Sequence, residues 1–175
     1  MSGNGRWGLS VARVPRGAGE LLRWDLRSGR LPWQEGTSHS LGIRSAGQAR
    51  FSPDSKWLVA ASAEGYSVFE TEQWRRVAFS ACRLTAKGGG VMTVSRDGRW
   101  VALEREGAQV LVASLPDLRE VFTLTPPIRI DLAALDFNPD ARFLQLAGNG
   151  RIFVWHLRNV RKELVMAGLM QREEF

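Results

Sequence analysis

The chain has 175 residues, 44% of them hydrophobic, with 24 lysines and arginines against 18 acidic residues and a formal net charge of +6. These values are typical of a globular domain with a sizeable core, and no apolar run approaches the roughly 20 residues needed to span a bilayer. The first residues show no secretory signal pattern and Cys82 is the single cysteine, so we expect a cytoplasmic protein without membrane contact or an internal disulfide.

A short turn recurs along the chain and divides it into similar units. The sequence reads "FSPDSKW" at 51–57, "VSRDGRW" at 94–100 and "FNPDARF" at 137–143, an even spacing of 43 residues. Proline fixes φ in two of these turns, and the aspartate favours the bend that follows. A fixed repeat of about 40–45 residues is typical of the four-stranded blades of a β-propeller.

The first unit, at residues 1–33, is a shortened copy of the others. "GNGRW" at 3–7 matches the recurring turn, and Trp24-Asp25 matches the later strand residues Phe69, Val112 and Trp155. A longer hairpin loop lies around "PRGAG" at 15–19. No residues before the turn supply an innermost strand, so we predict an incomplete first blade.

Three fuller units follow at residues 46–81, 88–125 and 131–156. In the first of them, four short strands are predicted at 46–52, 56–62, 66–70 and 75–81. A second hairpin turn is marked in each unit, most strongly by Asn149-Gly150, since both residues tolerate positive φ. The segment at 35–47 is interpreted as a Ser/Gly-rich linker that contains His39, and 86–90 as a loop between blades.

The tail at residues 157–175 admits two interpretations. Its register relative to "REVFTLT" at 119–125 predicts an outer strand, whereas its content of Arg, Lys, Glu, Leu, Met and Ala favours a helix. An apolar stripe supports the helix, which is our prediction; its members are Leu157, Val160, Leu164 and Leu169. We expect the final "QREEF" to be frayed.

These features resemble the WD40-repeat β-propeller family, in a divergent bacterial form. "FSPDSKW", "RWDLRSGR" at 23–30 and "IFVWHLRN" at 152–159 carry the likeness, although the Gly-His dipeptide of the family is absent and Trp24-Asp25 is the one complete Trp-Asp pair. The resemblance implies an all-β fold of about four WD40-like blades in residues 1–156, arranged as an open partial propeller with a short C-terminal helix. Since such rings have 4–8 blades and commonly about seven, it also implies the C-terminal part of a larger WD40 protein.

Aromatic residues repeat in register and are therefore expected to pack between blades. Trp33 and Trp74 fall outside these registers and are predicted to be exposed contact residues. The repeating aromatic residues form two sets: Trp7, Trp57, Trp100 and Phe143, and then Trp24 and Trp155.

We predict no catalytic, cofactor-binding or metal-binding residues. The run "KGGG" at 87–90 follows its lysine and does not match a phosphate-binding loop. His39 and His156 stand alone, and Cys82 is not placed beside a base. The acidic residues follow no metal-ligand pattern; those considered are Glu104, Glu106, Asp131, Asp136 and Asp140.

The predicted function is a non-catalytic protein-interaction scaffold. The loops at 15–19, 35–47 and 86–90 are candidate contact segments, because loops on rigid frames commonly carry binding. The expected partner is a protein, or a second chain that completes the propeller, since unpaired sheet edges invite pairing. Nucleic acid is not expected, because the arginines are scattered rather than clustered on one face.

Two other functions remain open from the sequence. The chain could be the terminal piece of a bacterial serine/threonine kinase–WD40 fusion whose catalytic domain lies outside it. It could also be an enzyme that uses the central channel of a propeller. That function needs several ionisable residues where the inner strands begin, and Asp136 is the single plausible one there.

Overall fold

The computed structural model describes residues 1–12, 19–29, 38–44, 47–82 and 90–169. Over these residues, fourteen strands form four antiparallel sheets and one α-helix follows the last strand. The chain divides into two compact units, Met1–Gly90 and Val91–Phe175, each of which contains two sheets. No helix in the described residues is both long enough and apolar enough to cross a bilayer.

The first unit contains a three-stranded sheet and a four-stranded sheet. Leu21 and Ile43 of the first sheet are buried together with Leu58, Ala60 and Phe69 of the second. In chain order the strands are β1 (Trp7–Ala12), β2 (Glu20–Asp25) and β3 (Ser38–Arg44) in the first sheet, and β4 (Ala49–Phe51), β5 (Trp57–Ser62), β6 (Gly65–Glu70) and β7 (Arg76–Ala81) in the second.

The first sheet confirms one prediction and corrects another. Among the described residues no strand lies inside β1, which is at the edge of the sheet, so the first blade is incomplete as predicted. The prediction of a linker at 35–47 is wrong, because strand β3 occupies most of this segment and pairs His39 with Arg23. Leu41 and Ile43 are two residues apart, so they lie on the same face of β3 and pack on the core. Their contacts make the segment a strand despite its serines and glycine.

The second unit repeats this arrangement with the order of sheet sizes reversed. Its core joins Val110 and Val112 of the third sheet to Leu144 and Leu146 of the fourth. The strands are β8 (Met92–Val94), β9 (Trp100–Glu104), β10 (Val110–Ser114) and β11 (Glu120–Leu124) in the third sheet, and β12 (Leu132–Phe137), β13 (Phe143–Gly148) and β14 (Arg151–His156) in the fourth.

A helix, α1 (Leu157–Met166), follows β14 where a fourth strand was the alternative. The predicted C-terminal helix is therefore confirmed. Leu157 is buried in the core, and its N–H donates to the Arg142 carbonyl at 2.8 Å. The helix ends at Met166, so Leu169 lies beyond it and is 76% exposed. The prediction that Leu169 belongs to the apolar stripe of the helix is therefore wrong. The predicted frayed end, 171–175, lies outside the described residues.

The recurring turn has one hydrogen-bond pattern in all four sheets. In the second sheet, Ser52 Oγ accepts from Trp57 N–H at 3.0 Å and donates to Asp54 Oδ1 at 2.5 Å, while Asp54 Oδ1 also accepts from Lys56 N–H at 3.1 Å. The carbonyl of Trp57 accepts from Ser52 N–H at 2.8 Å. The serine and aspartate thus satisfy backbone groups that the tight turn leaves without ladder partners.

The other sheets reproduce this pattern with small changes of residue. Ser95 and Asp97 act in the third sheet, Ser2 and Asn4 in the first, and Asn138 with Asp140 in the fourth. Each turn places an aromatic residue at the start of the next strand, which explains why the turn and the aromatic residue recur together.

Candidate interaction site

Strand β14 is the third strand of the fourth sheet and lies at its edge. In the second and third sheets, the equivalent strands β6 and β10 lie between two neighbours. In the described part of the fourth sheet, β14 pairs with β13 alone. Ile152 is 71% exposed and Val154 is 55% exposed, whereas Val68 of β6 and Val112 of β10 are fully buried. The fourth sheet therefore presents apolar strand residues that the two fuller sheets bury.

The face that carries Ile152 and Val154 continues onto β13. In the register of the sheet, Ile152 lies opposite Ala147 and Val154 opposite Gln145. Phe153 and Trp155 point to the other face, where they pack against the core of the unit. Alternation along β14 thus separates a packed face from an open apolar one.

The edge of β14 lacks three features that commonly protect sheet edges, namely a bulge, a proline and a lysine, although the strand begins with the charged Arg151. The outer strands β3, β7 and β11 each pair with their neighbour through a shift of register. Strand β14 pairs with β13 over six consecutive residues without a shift, and its sequence "RIFVWH" contains neither proline nor lysine. Bulges, prolines and lysines discourage the addition of another strand, so the regular apolar edge of β14 remains competent for pairing.

Trp74 is not an exposed contact residue, and the prediction that it would be is wrong. Its ring packs edge-on against Trp7, with centroids 4.9 Å apart, and against Phe51 at 6.4 Å. The guanidinium of Arg23 lies 4.7 Å above the same ring. Burial lowers the pKa of Arg23, an effect that Asp25 opposes and Arg6 reinforces. Trp33 lies outside the described residues.

The predicted contact loops are represented only in part. Residues 15–18, 35–37, 45–46 and 86–89 lie outside the described residues, and 38–44 form β3. The loops at 15–19 and 86–90 therefore stay predictions. No sequence signal singled out the β14 edge, although the predicted helix in place of an outer strand leaves β14 at the edge and the alternation of Ile152 and Val154 marks the open face.

The carboxylates considered as candidate catalytic groups are not gathered into one site. Asp136 Oδ1 accepts from the Thr93 hydroxyl at 3.3 Å, and buried Glu104 accepts from Val91 N–H at 2.9 Å. Asp140 belongs to the recurring turn, where the Arg142 N–H, the largest contribution, and the Asn138 side chain lower its pKa. Within the ranges that the structure describes, no group of three His, Cys, Asp or Glu side chains could hold a metal ion.

The two histidines have structural contacts of their own. His39 lies in β3, paired with Arg23. His156 Nδ1 accepts from Asn159 N–H at 3.4 Å and so caps α1, and its ring lies edge-on to Phe143 at 4.7 Å. Cys82 directly follows β7 and is partly buried.

Comparison with known proteins identifies the fold. Neither a protein-family model nor a curated protein matches the chain. The crystal structure of Sqt1 from Chaetomium thermophilum, a WD40-repeat protein, matches with a TM-score of 0.66 and 22% sequence identity. The chain has the fold of part of a WD40-like β-propeller. The match covers 90% of this chain and 42% of the Sqt1 chain, so this chain spans less than half the length of that protein.

Proposed function

We propose that this chain is a non-catalytic protein-interaction scaffold that acts in the cytoplasm of a bacterium. In this proposal residues 1–156 carry the blades and 157–175 the tail, and the chain is the C-terminal part of a larger WD40 protein or is completed by a second chain. The open edge of β14, with exposed Ile152 and Val154, carries the proposal. The fold supports it as well, because blades of this kind hold rigid surfaces for binding.

The chemistry of the β14 edge defines what completes it. An extended segment can add to the edge through main-chain hydrogen bonds, with apolar side chains at alternating positions that cover Ile152 and Val154. Full burial of each of these side chains contributes about 1.5–3 kcal/mol. A foreign protein, the remainder of a longer propeller or a second copy of this chain can each supply such a segment.

Light scattering coupled to size-exclusion chromatography tests the proposal on the full chain. We expect association of the wild-type chain with itself or with a supplied segment, and a monomer for the double variant Ile152→Asp/Val154→Asp. The matched control is Val77→Asp/Phe79→Asp, which places the same charges on exposed residues of the outer strand β7. A suitable segment is the peptide "REVFTLT", which is this chain's own outer strand from the third sheet, with a scrambled peptide for comparison.

Hydrogen exchange gives the outcome that overturns the proposal. If the wild-type chain is a monomer whose β14 amides exchange as slowly as those of β6, with or without the peptide, the edge is not open and the proposal fails. If "REVFTLT" slows exchange in β14 and its scrambled form does not, the proposal is supported.

The kinase–WD40 fusion is the second candidate. The match to 42% of a WD40 protein of known structure supports further blades in the same polypeptide, and the kinase domain itself rests on the resemblance of the sequence to the bacterial WD40 group. An adjacent reading frame that encodes a kinase domain and further blades supports this candidate. A full-length transcript that begins at Met1 and has no such neighbour removes it.

A further inference from the structure

The outer side of α1 forms a groove with both cationic and apolar walls. The groove has a volume of about 410 Å³, and the described residues that line it are Arg158, Arg161, Lys162, Val165 and Met166. The helix contains three basic residues and a single acidic residue, Glu163. The groove therefore combines cationic and apolar side chains, and none of its described lining residues belongs to the β14 edge.

Of the two apolar residues that line the groove, Met166 is the one that the core does not use. Leu157, Val160, Leu164 and Val165 pack against the core of the second unit and hold the helix in place. Met166, by contrast, is 86% exposed, and Leu169 just beyond the helix is 76% exposed. Two large apolar side chains beside a cluster of cations form a surface patch of the kind that marks interaction sites.

The cations are also placed against the preference of the helix itself. Arg158 lies in the first turn, where the helix dipole favours acidic residues, and the last turn contains no basic residue. Arg158 and Lys162 are four residues apart, so two like charges lie on one face of the helix and destabilise it. A bound anionic group would neutralise this repulsion and would interact favourably with the dipole.

We propose that this groove binds an acidic peptide segment that inserts one apolar side chain between the cations. Carboxylates of the segment pair with Arg158 and Lys162, and its apolar side chain contacts Val165 and Met166. The charge of the groove and its volume together specify this occupant. Exposed arginine and lysine side chains favour acidic partners, and an apolar centre surrounded by charge is the usual arrangement of a binding patch.

Two other anionic partners fit the groove less well. A helix that lies on a membrane inserts its apolar face into the lipid, but the main apolar face of α1 is packed against the core. Proteins that bind single-stranded nucleic acid stack bases on aromatic side chains between cations, and α1 contains no aromatic residue. The acidic peptide is the partner that uses both the cationic and the apolar side chains of the groove.

Fluorescence anisotropy of the full chain with the labelled peptide Gly-Glu-Glu-Leu-Glu-Glu-Gly tests the proposal. We expect binding that weakens as salt is raised, and an affinity about tenfold or more lower for Arg158→Glu/Lys162→Glu because two attractions become repulsions. The control Arg44→Glu/Arg50→Glu makes the same change in net charge on exposed residues of the first unit and should leave the affinity within about twofold.

Two further variants separate the apolar contact from the charge and from the β14 edge. Met166→Ser should weaken the Leu-containing peptide several-fold, with a smaller effect on a peptide in which Ser replaces Leu. The variant Ile152→Asp/Val154→Asp should bind the acidic peptide normally, so this inference can hold even if the function proposed for the β14 edge fails. Circular dichroism checks that each variant is folded.

Three results would overturn the inference. Equal loss of peptide affinity in both charge-reversal variants would mean that only net charge matters. Binding of vesicles that contain anionic phosphatidylserine, without binding of the peptide, would assign the surface to a membrane. Binding of a single-stranded oligonucleotide that is lost in Arg158→Glu/Lys162→Glu, again without peptide binding, would assign it to nucleic acid.

Discussion

Strands β6 and β14 are equivalent in their sheets but differ in exposure. Both are rich in β-branched and aromatic residues, and each pairs with the preceding strand over six residues. Residues on both faces of β6 are buried, whereas β14 buries one face only in part and leaves Ile152 and Val154 largely exposed. The difference does not come from strand propensity. It arises because the described residues provide no outer strand beside β14 and leave one of its faces uncovered, so a blade depends on its neighbours for burial.

The largest expected effect is the difference in free energy of unfolding between Val68→Asp in β6 and Val154→Asp in β14. Val68 is fully buried, so an aspartate there places a carboxylate in the core and should lower the free energy of unfolding by about 3–5 kcal/mol or prevent folding. Val154 is more than half exposed, so the same change should cost less than about 1 kcal/mol. Urea denaturation followed by tryptophan fluorescence measures both. Equal losses would mean that β14 is covered, which contradicts the comparison.

The second effect concerns the helix that follows β14. Leu157→Ala removes a buried side chain from the core and should cost about 2–4 kcal/mol, because the cavity can close only in part. Leu169→Ala removes an exposed side chain and should change stability by less than about 0.5 kcal/mol. Thermal unfolding by circular dichroism separates the two. A small effect of Leu157→Ala would mean that α1 is not held by this contact.

Much of this fold can be predicted from the sequence because the residues that form the repeating turn lie close together in the chain and contact one another. Ser52, Asp54 and Trp57 act within one turn, so their pattern can be recognised wherever it recurs. Strand β3 could not be predicted in this way, because only Leu41 and Ile43 mark it in a segment rich in serine and glycine.

The candidate surfaces were harder to predict than the blades. Trp74 looked exposed because nothing near it in sequence indicates its packing on Trp7, which is a contact between two sheets. The repeat predicts an outer strand after β14, whereas the composition of the tail favours the helix that the structure has there. The groove on α1 could not be predicted, because the sequence left strand and helix as alternatives there, and only the helix brings Arg158 and Lys162 onto one face.

A smaller effect tests the recurring turn in the third and fourth sheets. The same turn position is Gly98 in one and Ala141 in the other, with left-handed φ values of 71° and 54°. Glycine adopts this conformation without steric cost, so Ala141→Gly should raise the free energy of unfolding by about 0.5–1 kcal/mol. Gly98→Ala should lower it by a similar or larger amount. Chemical denaturation checks both signs, and a loss of stability in Ala141→Gly would mean that the methyl group's packing outweighs the strain.

The smallest effect is the titration of two aspartates in turns of the third and fourth sheets. The Ser114 hydroxyl is the main cause of the lowered pKa of Asp117. The Arg142 N–H is the main cause of the lowered pKa of Asp140, and the Asn138 side chain adds to it. Both carboxyls should titrate below their ordinary value of 3.8 when followed by NMR. Because each pKa is lower in the folded state, each contributes stability above the ordinary pKa that is lost as pH falls through the folded value.

Matched variants assign each of these shifts to its own turn. Ser114→Ala should raise the pKa of Asp117 toward 3.8 and leave that of Asp140 unchanged, since it removes the main hydrogen bond of Asp117 alone. Asn138→Ala should raise the pKa of Asp140 by less, because the Arg142 N–H remains. If Asn138→Ala raised the pKa of Asp140 by more than Ser114→Ala raises that of Asp117, the Arg142 N–H would not be the main cause of the lowered pKa of Asp140. The lowered pKa of each aspartate would then depend chiefly on a side chain, and the two turns would share one chemistry instead of differing in it.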